Sequence, residues 1–234
     1  MGKRVSHSWL DPYLTLPIKR LYKFLRVPAW FPPEGIVGLG HLLAIAAAFG
    51  FAFSTTYWWG GILLAAGVAA NHIADVLDGT HARASNQCRN GGELLDHFTD
   101  PLSFAYWLVG LAVSCGRLDL GLVAVICLYA TAVLTNIKAK MIGEFTLAAF
   151  GPTEFKTLLV LYGLTMSLLV QRAVTAVAPQ QLALWFLLIL IAVGILQLLI
   201  NLVRAVYQVN HEGAAPDITE WVTKASSRDD MKEP

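Results

Sequence analysis

Charged residues are scarce in this 234-residue chain, where Asp, Glu, Lys and Arg make up 14% of the sequence and hydrophobic residues 56%. Soluble globular domains carry about 25% charged residues, so this composition excludes an ordinary water-soluble domain. The formal net charge is only +1, which points neither to a nucleic-acid partner nor to an acidic substrate. We therefore expect membrane lipids around the chain and no nucleic acid.

The chain also has few cysteines, and its sequence shows no pattern of a cleavable signal peptide. The three cysteines, Cys88, Cys115 and Cys127, are odd in number and lack paired spacing, so they predict neither a disulfide framework nor a zinc site. The first thirty residues contain Lys and Arg, but no apolar core followed by a small-residue cleavage site. We therefore expect no removable signal peptide.

Long apolar segments, by contrast, are abundant. A helix that spans a membrane needs about 20 mostly apolar residues. Six stretches meet this requirement: Gly35–Thr55, Tyr57–Leu77, Leu94–Ser114, Leu118–Ile137, Phe155–Thr175 and Leu182–Val203. The link between the first two is very short, which predicts an antiparallel helical hairpin. The sequence thus predicts an all-α integral membrane protein with six transmembrane helices.

The segments that flank this region differ from it in character. Between Trp9 and Trp30, basic and apolar residues are mixed at helical spacing, which is typical of an amphipathic helix in the membrane interface. An ordinary juxtamembrane segment is the alternative. The tail after Val209 is polar and is expected to be loosely ordered. We divide the chain into an N-terminal cytoplasmic or interfacial segment (1–33), a six-helix membrane domain (34–209) and a polar cytoplasmic tail (210–234).

The distribution of Lys and Arg predicts the orientation of the helices. With six spans and the N-terminus inside, only Arg117 and Arg172 of the 17 Lys and Arg residues fall on the outer side. Cytoplasmic loops carry an excess of Lys and Arg. We therefore expect a multi-pass protein whose termini and polar loops around Arg83 and Lys140 are cytoplasmic.

Four aspartates stand at the ends of the second and third predicted spans, in the stretch DVLDGTHARASNQCRNGGELLDHFTD. Asp75 and Asp78 are three residues apart, and Asp96 and Asp100 are four apart. Both spacings place a pair of side chains on one face of a helix. The loop between the spans returns the chain, so the two pairs are predicted to face each other.

Four converging carboxylates at membrane depth repel one another unless a cation lies between them. Ligands that are all oxygen favour a hard ion, and Mg²⁺ commonly joins carboxylates to substrate phosphates. We therefore predict a site for one or two Mg²⁺ or Mn²⁺ ions. The alternative for any single aspartate is a helix cap or a salt bridge with Arg83 or Arg89.

Small residues and one arginine lie between the aspartates. Gly79, Ala82 and Gly92 allow a flat or bulky group to approach the backbone closely. The guanidinium of Arg83 is suited to a diphosphate oxygen. Together these residues predict a phosphate-bearing ligand beside the aspartates.

Written in full, the pattern is Asp75-x2-Asp78-Gly79-x2-Ala82-Arg83-x8-Gly92-x3-Asp96-x3-Asp100. It resembles, at every defined position, the signature of the CDP-alcohol phosphotransferase (phosphatidyltransferase) family, class I. That resemblance implies a six-helix membrane core with an active site on the cytoplasmic side, a reaction that releases CMP, and two substrates: a CDP-linked lipid or CDP-alcohol and an alcohol acceptor. Members of the family commonly form homodimers, which is the ground for expecting one here.

The resemblance also implies a role for each residue of the motif. Asp75, Asp78 and Asp96 would hold the metal against the diphosphate, and Asp100 would lie beside the metal and act as the general base on the acceptor hydroxyl. The remaining motif residues would bind the CDP moiety, with Arg83 near the phosphates: Gly79, Ala82, Arg83 and Gly92. This division of labour is chemically sound, because the metal neutralises developing charge while the base activates the nucleophile.

Two features point to different substrates within the family. The segment NIKAKMIGE resembles the basic segment of CDP-diacylglycerol-dependent members, in which basic residues hold a phosphate-bearing acceptor. Lys138, Lys140 and Lys156 would then form an anion pocket, although these lysines also fit the general bias toward basic cytoplasmic loops. This interpretation predicts transfer of phosphatidyl from CDP-diacylglycerol to an alcohol.

The second feature resembles choline and ethanolamine phosphotransferases, in which a His follows the third aspartate and a Pro-x-Thr-Glu-like element precedes a later span. Here these are His97 and the stretch that ends at Glu154. By that resemblance His97 would assist proton transfer and Glu154 would contact a cationic head group. Packing by His97 and capping of a helix by Glu154 are the alternatives. Those transferases are usually much longer, so chain length favours the diacylglycerol-nucleotide class.

Two further hypotheses concern other kinds of protein. A cation or solute transporter would use the aspartates as an ion site, but such sites lie near the bilayer midplane in repeated halves. Here the aspartates lie at one face and the sequence shows no internal repeat. A family member without activity is the other alternative, and the intact motif argues against it.

Overall fold

The computed structural model describes residues 3–6, 8–147, 151–172, 177–215 and 218, and it is helical over most of them. Side chains are described in these ranges except at 3–6 and 145–147. The elements in chain order are β1 (Lys3–Ser6), α1 (Thr15–Leu25), α2 (Pro33–Phe53), α3 (Trp58–Ala84), α4 (Asn90–Ser114), α5 (Leu118–Ile142), β2 (Glu144–Leu147), α6 (Pro152–Gln171) and α7 (Pro179–Glu212).

Five helices in the described ranges are long and apolar enough to cross a membrane, namely α2, α3, α5, α6 and α7. The fourth helix, α4, has 25 residues, but its first half carries Glu93, Asp96 and Asp100, which lower its hydropathy. The all-helical membrane class is thus confirmed in its main feature, while the crossing by α4 stays a prediction. The predicted end of the fifth span at Thr175 and most of the tail 210–234 lie outside the described residues.

The predicted hairpin of the first two spans is present as α2 and α3. Gly40 of α2 lies against Ala74 and Asn71 of α3, and Gly50 lies against Leu64. Residues later in α2 therefore contact residues earlier in α3, which defines an antiparallel pair. A Cβ atom on Gly50 would collide with the backbone of Leu64, so only glycine permits this approach.

Aromatic side chains tie the other helices to this hairpin. Trp107 of α4 is 1% exposed, and its indole Nε1 donates a 2.9 Å hydrogen bond to the carbonyl of Ala44 on α2. Tyr162 of α6 stacks on Phe186 of α7 at 4.3 Å between ring centroids, and its ring also stacks on that of Phe51 of α2. These contacts fix α4, α6 and α7 around α2.

The N-terminal helix α1 is docked on the end of α3 by a buried histidine. Tyr22 Oη lies 2.7 Å from Nδ1 of His81, whose Nε2 lies 2.8 Å from the Phe31 carbonyl. On the other side of α1, Leu16, Leu21 and Phe24 are exposed. The helix predicted in this segment is therefore present, and its position in a membrane interface stays a prediction.

A small sheet is the feature that the all-α prediction omitted. Strands β1 and β2 pair in parallel, with Lys3 opposite Glu144 and Ser6 opposite Leu147. The two strands are separated by five helices in the chain. Their pairing joins the start of the chain to the segment that follows α5, on the side where α3 ends and α4 begins.

Candidate metal and substrate site

The end of α3 and the start of α4 bring the aspartates of the two predicted pairs together. Asp75, Asp96 and Asp100 each offer one carboxylate oxygen, and the three oxygens lie within 4.8 Å of one another. Asp78 is outside this group of three, is 6% exposed, and accepts a hydrogen bond at Oδ1 from the Gly79 amide. The facing of the two pairs follows from their helical spacing and from the short return between α3 and α4.

A lysine from a third helix enters the aspartate cluster. Lys156, near the start of α6, places its Nζ 2.7 Å from Asp75 Oδ2 and 3.9 Å from Asp100 Oδ1. Lys156 is 1% exposed, and its Nζ lies 5.6 Å from the centre of the Phe104 ring. A fully buried ammonium needs such paired carboxylates, because an unpaired charge is very costly away from water.

A small cavity of about 10 Å³ lies among the aspartates, enough for one body the size of a water molecule. All four aspartates line it, together with Asn71 of α3. The Asn71 amide nitrogen donates a 3.0 Å hydrogen bond to the Gly40 carbonyl, so its Oδ1 must point elsewhere. Asn71 is 5% exposed, and its Oδ1 has no partner among the described residues.

These features allow a test of whether the residues fit a divalent ion. The donors are carboxylate and carboxamide oxygens without any thiolate, which is the set that Mg²⁺ and Mn²⁺ prefer. The cavity is small, and the buried Asn71 oxygen lacks a hydrogen-bond partner within the described part of the chain. The residues therefore fit a hard divalent ion.

A second, much larger cavity of about 1700 Å³ opens beside the cluster. All four aspartates contribute to its wall, together with Lys19 of α1 and Arg204 of α7. Farther along the helices the lining is apolar: Leu108 lies about two turns beyond Asp100 on α4, and Leu128 and Leu190 also line the cavity. The cavity can therefore hold a charged group near the aspartates and an apolar chain beyond them.

Of the four residues expected to bind CDP, some line the large cavity and others do not. Gly79 and Arg83 line the large cavity, and a Cβ on Gly79 would lie 3.4 Å from Arg83 Nη1. Ala82 and Gly92 are not among the described residues that line this cavity. A Cβ on Gly92 would instead lie 3.6 Å from Oε1 of Glu34 at the start of α2. The structure therefore brings two of these four residues to the cavity beside the aspartates.

The three lysines of the expected anion pocket do not converge. Lys138 of α5 lines the large cavity, whereas Lys140 is exposed and contributes nothing to the lining within the described ranges. Lys156 lies behind the aspartates rather than on the cavity wall. One lysine of the three is thus available to a ligand in the cavity.

The two residues that resemble the choline and ethanolamine enzymes also differ in position. His97 lines the cavity, and its Nε2 lies 3.7 Å from Glu93 Oε1, one turn earlier on α4. Glu154 is 7% exposed and caps α6: its Oε2 accepts a hydrogen bond of 2.9 Å from the Gly151 amide. Its Oε1 accepts hydrogen bonds from the Ser8 hydroxyl and the Leu10 amide.

Sequence reasoning did not single out several residues that the fold brings to the site. Ser8 and Asp11 line the large cavity, and Asp11 Oδ1 accepts a 2.7 Å hydrogen bond from Thr153 Oγ1 on α6. Asn71 precedes Asp75 on α3, so helical spacing was a usable signal for it. His72 is different, because helical spacing does place it within reach of Asp75, where a buried, hydrogen-bonded histidine is expected. It lines the large cavity, and both of its ring nitrogens are buried without a hydrogen-bond partner among the described residues. The segment that contains Ser8 and Asp11 carried no such signal.

The fold and the site define a helical membrane protein with an acidic, oxygen-rich cluster at one end of its helices. A profile of the CDP-alcohol phosphatidyltransferase family matches residues 33–196, which include all of α2 to α6 and the four aspartates. The chain belongs to that family.

Several curated proteins of similar sequence share the name cholinephosphotransferase 1. Cholinephosphotransferase 1 of Gallus gallus is 32% identical over 127 residues, which cover 51% of this chain and 35% of that protein. The proteins of the same name from Bos taurus and Homo sapiens are 31% and 30% identical over 113 residues, which cover 46% of this chain and 27% of each protein. The chain therefore spans about a third of the length of these relatives.

Proposed function

We propose that this chain transfers a phosphoaminoalcohol from a CDP-aminoalcohol to the hydroxyl of a diacylglycerol-like lipid, with release of CMP. The observation that carries the reaction class is the convergence of Asp75, Asp96 and Asp100 within 4.8 Å beside a cavity that is polar at one end and apolar beyond it. Membership of the family and the names of the relatives support the choice of donor.

The aspartates and Asn71 would hold one or two divalent ions, Mg²⁺ or Mn²⁺. When bound, such an ion neutralises the diphosphate and stabilises the charge that develops on it. Around it, Arg83 and Lys138 on the cavity wall bind the phosphates by charge-assisted hydrogen bonds. Gly79 leaves room for the nucleotide beside Arg83.

Asp100 acts as the general base in this proposal. It lines the large cavity one turn after Asp96, at the point where the apolar lining begins. Its carboxylate takes the proton of the acceptor hydroxyl, and the hydroxyl oxygen forms a bond to the phosphorus that carries the aminoalcohol. The bond from that phosphorus to the bridging oxygen breaks, and CMP leaves. His97 lies on the same wall and assists the proton transfer.

Transfer of phosphatidyl from CDP-diacylglycerol to an alcohol acceptor is the second candidate. The observation that favours it is Lys138 on the cavity wall, where its ammonium can bind an anionic acceptor. The positions of Lys140 and Lys156 outside the wall weaken an anion pocket built from three lysines. For this reason we favour transfer of the phosphoaminoalcohol over transfer of phosphatidyl.

The membrane arrangement is part of the same proposal. We place α4 as a sixth crossing, α1 in the interface, and the aspartate end of the bundle at the cytoplasmic face with both termini. The bias of Lys and Arg toward that end supports this orientation. A homodimer is expected from the family alone.

The experiment that separates the two reactions identifies the lipid product by mass. The purified protein is incubated with Mg²⁺ and either CDP-choline or CDP-ethanolamine plus diacylglycerol, or with CDP-diacylglycerol plus a panel of alcohols. A phosphoaminoalcohol lipid from the first mixture supports the leading proposal. A product from the second mixture alone supports phosphatidyl transfer, and no CMP from either mixture contradicts both.

A further inference from the structure

We propose that Asn201 of α7, together with Gln197 one turn earlier, binds an ester carbonyl of the acceptor lipid and so selects a glycerol ester as the acceptor. The inference rests on the proposed function and specifies which part of the acceptor the protein recognises. Two observations carry it: the position of these side chains on the cavity wall opposite the aspartates, and the hydrogen-bond donors that this wall offers.

Asn201 and Gln197 interrupt the apolar sequence of α7 on the side that faces the large cavity. Both residues line the cavity and are half-buried. Their neighbours Leu199, Ile200 and Leu202 are exposed and cover the outside of the helix. Polar side chains within a membrane helix are costly and mark a binding site or a pathway. Their place on the cavity side indicates that they serve a ligand there.

The packing of α4 on α5 relates the aspartates to the opposite wall of the cavity. Gly121 of α5 packs on Ala112 of α4, and a short turn joins these two helices, which are therefore antiparallel. Asp100 lies twelve residues before Ala112. Val133 lies twelve residues after Gly121, and each interval is about 18 Å of helix. Val133 of α5 is thus at about the same level of the bundle as Asp100.

Helix α7 runs beside α5 in the same direction. A Cβ on Gly194 would lie 3.4 Å from Cys127 Sγ, and farther along both helices the Ala214 amide donates a 3.2 Å hydrogen bond to the Met141 carbonyl. Asn201 follows Gly194 by seven residues, so it lies about 10 Å farther along the bundle than Cys127. This is the level that the aspartates occupy on the other side of the cavity.

The chemistry of this wall suits a neutral hydrogen-bond acceptor. Thr131 and Thr135 of α5 line it, but their hydroxyls donate 2.9 Å hydrogen bonds to carbonyls of α5 itself. The uncharged donors that the described wall offers at the level of Asp100 are therefore the amides of Asn201 and Gln197. Each amide has two N–H groups, so an interaction elsewhere still leaves one for a ligand. An ester carbonyl, which only accepts hydrogen bonds, is matched to such donors.

The order of groups along the cavity also matches a diacylglycerol. In the proposed reaction its hydroxyl lies at Asp100, and its ester groups connect this end of the molecule to the acyl chains. On α5 and α7, the polar level gives way to Leu128 and Leu190 farther from the aspartates. An ester group between hydroxyl and chains then falls beside Asn201. A simple long-chain alcohol would leave the amides unpaired in partly apolar surroundings, which is costly.

Two acceptors that differ only in their carbonyl groups test the inference on the wild-type protein. The purified protein in detergent receives Mg²⁺, CDP-choline or CDP-ethanolamine, and either dioctanoylglycerol or its diether analogue dioctylglycerol. The diether keeps the hydroxyl and the chains but lacks both carbonyls. We expect a KM about tenfold lower for the diester, because one or two hydrogen bonds are lost with the diether. Equal KM values for the two acceptors would overturn the inference.

Variants of α7 assign the preference to these side chains. Asn201→Leu and Gln197→Leu keep much of the side-chain volume and remove the amide, so each should raise the KM for the diester. The double variant should use both acceptors equally, with a nearly unchanged KM for the CDP-aminoalcohol. Asn210→Leu is the matched control, since Asn210 of α7 is exposed and outside the described cavity lining. A double variant that keeps the full preference, or that raises the KM for the CDP-aminoalcohol instead, would contradict the inference.

Thermal unfolding in detergent measures acceptor binding without turnover. Without nucleotide, dioctanoylglycerol should raise the unfolding temperature of the wild-type protein more than the same concentration of dioctylglycerol. The double variant should show no such difference. Selective stabilisation by the diester without any lipid product refutes the proposed function alone. Lipid product formed with equal KM values for the diester and the diether refutes this inference alone.

Discussion

Ser8 Oγ donates a 2.6 Å hydrogen bond to Glu154 Oε1, which joins residues 146 positions apart in the chain. The same carboxylate caps α6, so a single side chain fixes both the start of a membrane helix and the segment that precedes α1. Because Ser8 lines the large cavity, this contact also positions part of the cavity wall.

Ser8→Ala tests the importance of this contact. The variant leaves a carboxylate oxygen of a buried Glu154 with one donor fewer, which should cost about 1 kcal/mol of stability. We expect thermal unfolding in detergent at a lower temperature and a higher KM for the substrate in the cavity. The control is Thr157→Val, since the Thr157 hydroxyl bonds only the Thr153 carbonyl within α6 in the described contacts. Equal effects of the two variants would show that the Ser8 contact is dispensable.

Glycine packing gives a prediction about the bundle itself. Gly61 of α3 lies against the backbone of Gly163 and Ser167 on α6, so Gly61→Ala forces these helices apart. The expected cost is about 1–3 kcal/mol. Gly38→Ala on α2 is the matched control, because a Cβ there meets nothing within 4 Å. Thermal unfolding of both variants in one detergent measures the difference, and an unchanged Gly61→Ala protein would contradict the packing.

The sequence was most informative where structure depends on local pattern. Hydrophobic runs predicted α2, α3, α5, α6 and α7, because a run of about 20 mostly apolar residues is typical of a helix that spans a membrane. The sequence was less informative about where each helix ends, because a helix continues into polar residues beyond the membrane core. The predicted second span ended at Leu77, whereas α3 continues to Ala84 and carries Asp78 and Arg83 with it.

For the site, helical spacing predicted that Asp75, Asp96 and Asp100 meet. It did not predict that Lys156 joins them, because that contact links residues 81 positions apart and depends on how α6 packs against α3. A lysine near a membrane surface has the same local pattern whether it faces a loop or a buried carboxylate. The β1–β2 pairing was missed for a similar reason: four-residue strands far apart in the chain carry no periodic signal.

Asp100→Asn tests the proposed base. The amide cannot accept the proton of the acceptor hydroxyl, so turnover should fall by about 100-fold or more. Binding of a CDP-linked substrate, measured by calorimetry with Mg²⁺ present, should change little, since the other aspartates and Arg83 remain. A variant that turns over at the wild-type rate would exclude Asp100 as the base.

Lys138 and Lys140 form a matched pair for the phosphate-binding role. Lys138 lines the cavity and Lys140 is exposed outside it. Lys138→Ala should raise the KM for the CDP-linked substrate about tenfold, because a charge-assisted hydrogen bond to phosphate is lost. Lys140→Ala should leave the KM nearly unchanged. Equal losses in the two variants would favour a diffuse electrostatic effect over a direct contact.

The most direct test of the central claim is CMP release by the wild-type protein with and without divalent metal. With a CDP-linked donor and a lipid or alcohol acceptor, we expect CMP in the presence of Mg²⁺ or Mn²⁺ and none after treatment with EDTA. Restoration of release by added Mg²⁺ would show that the protein remained intact. CMP release at the same rate in EDTA would contradict a reaction that depends on metal held by Asp75, Asp96 and Asp100.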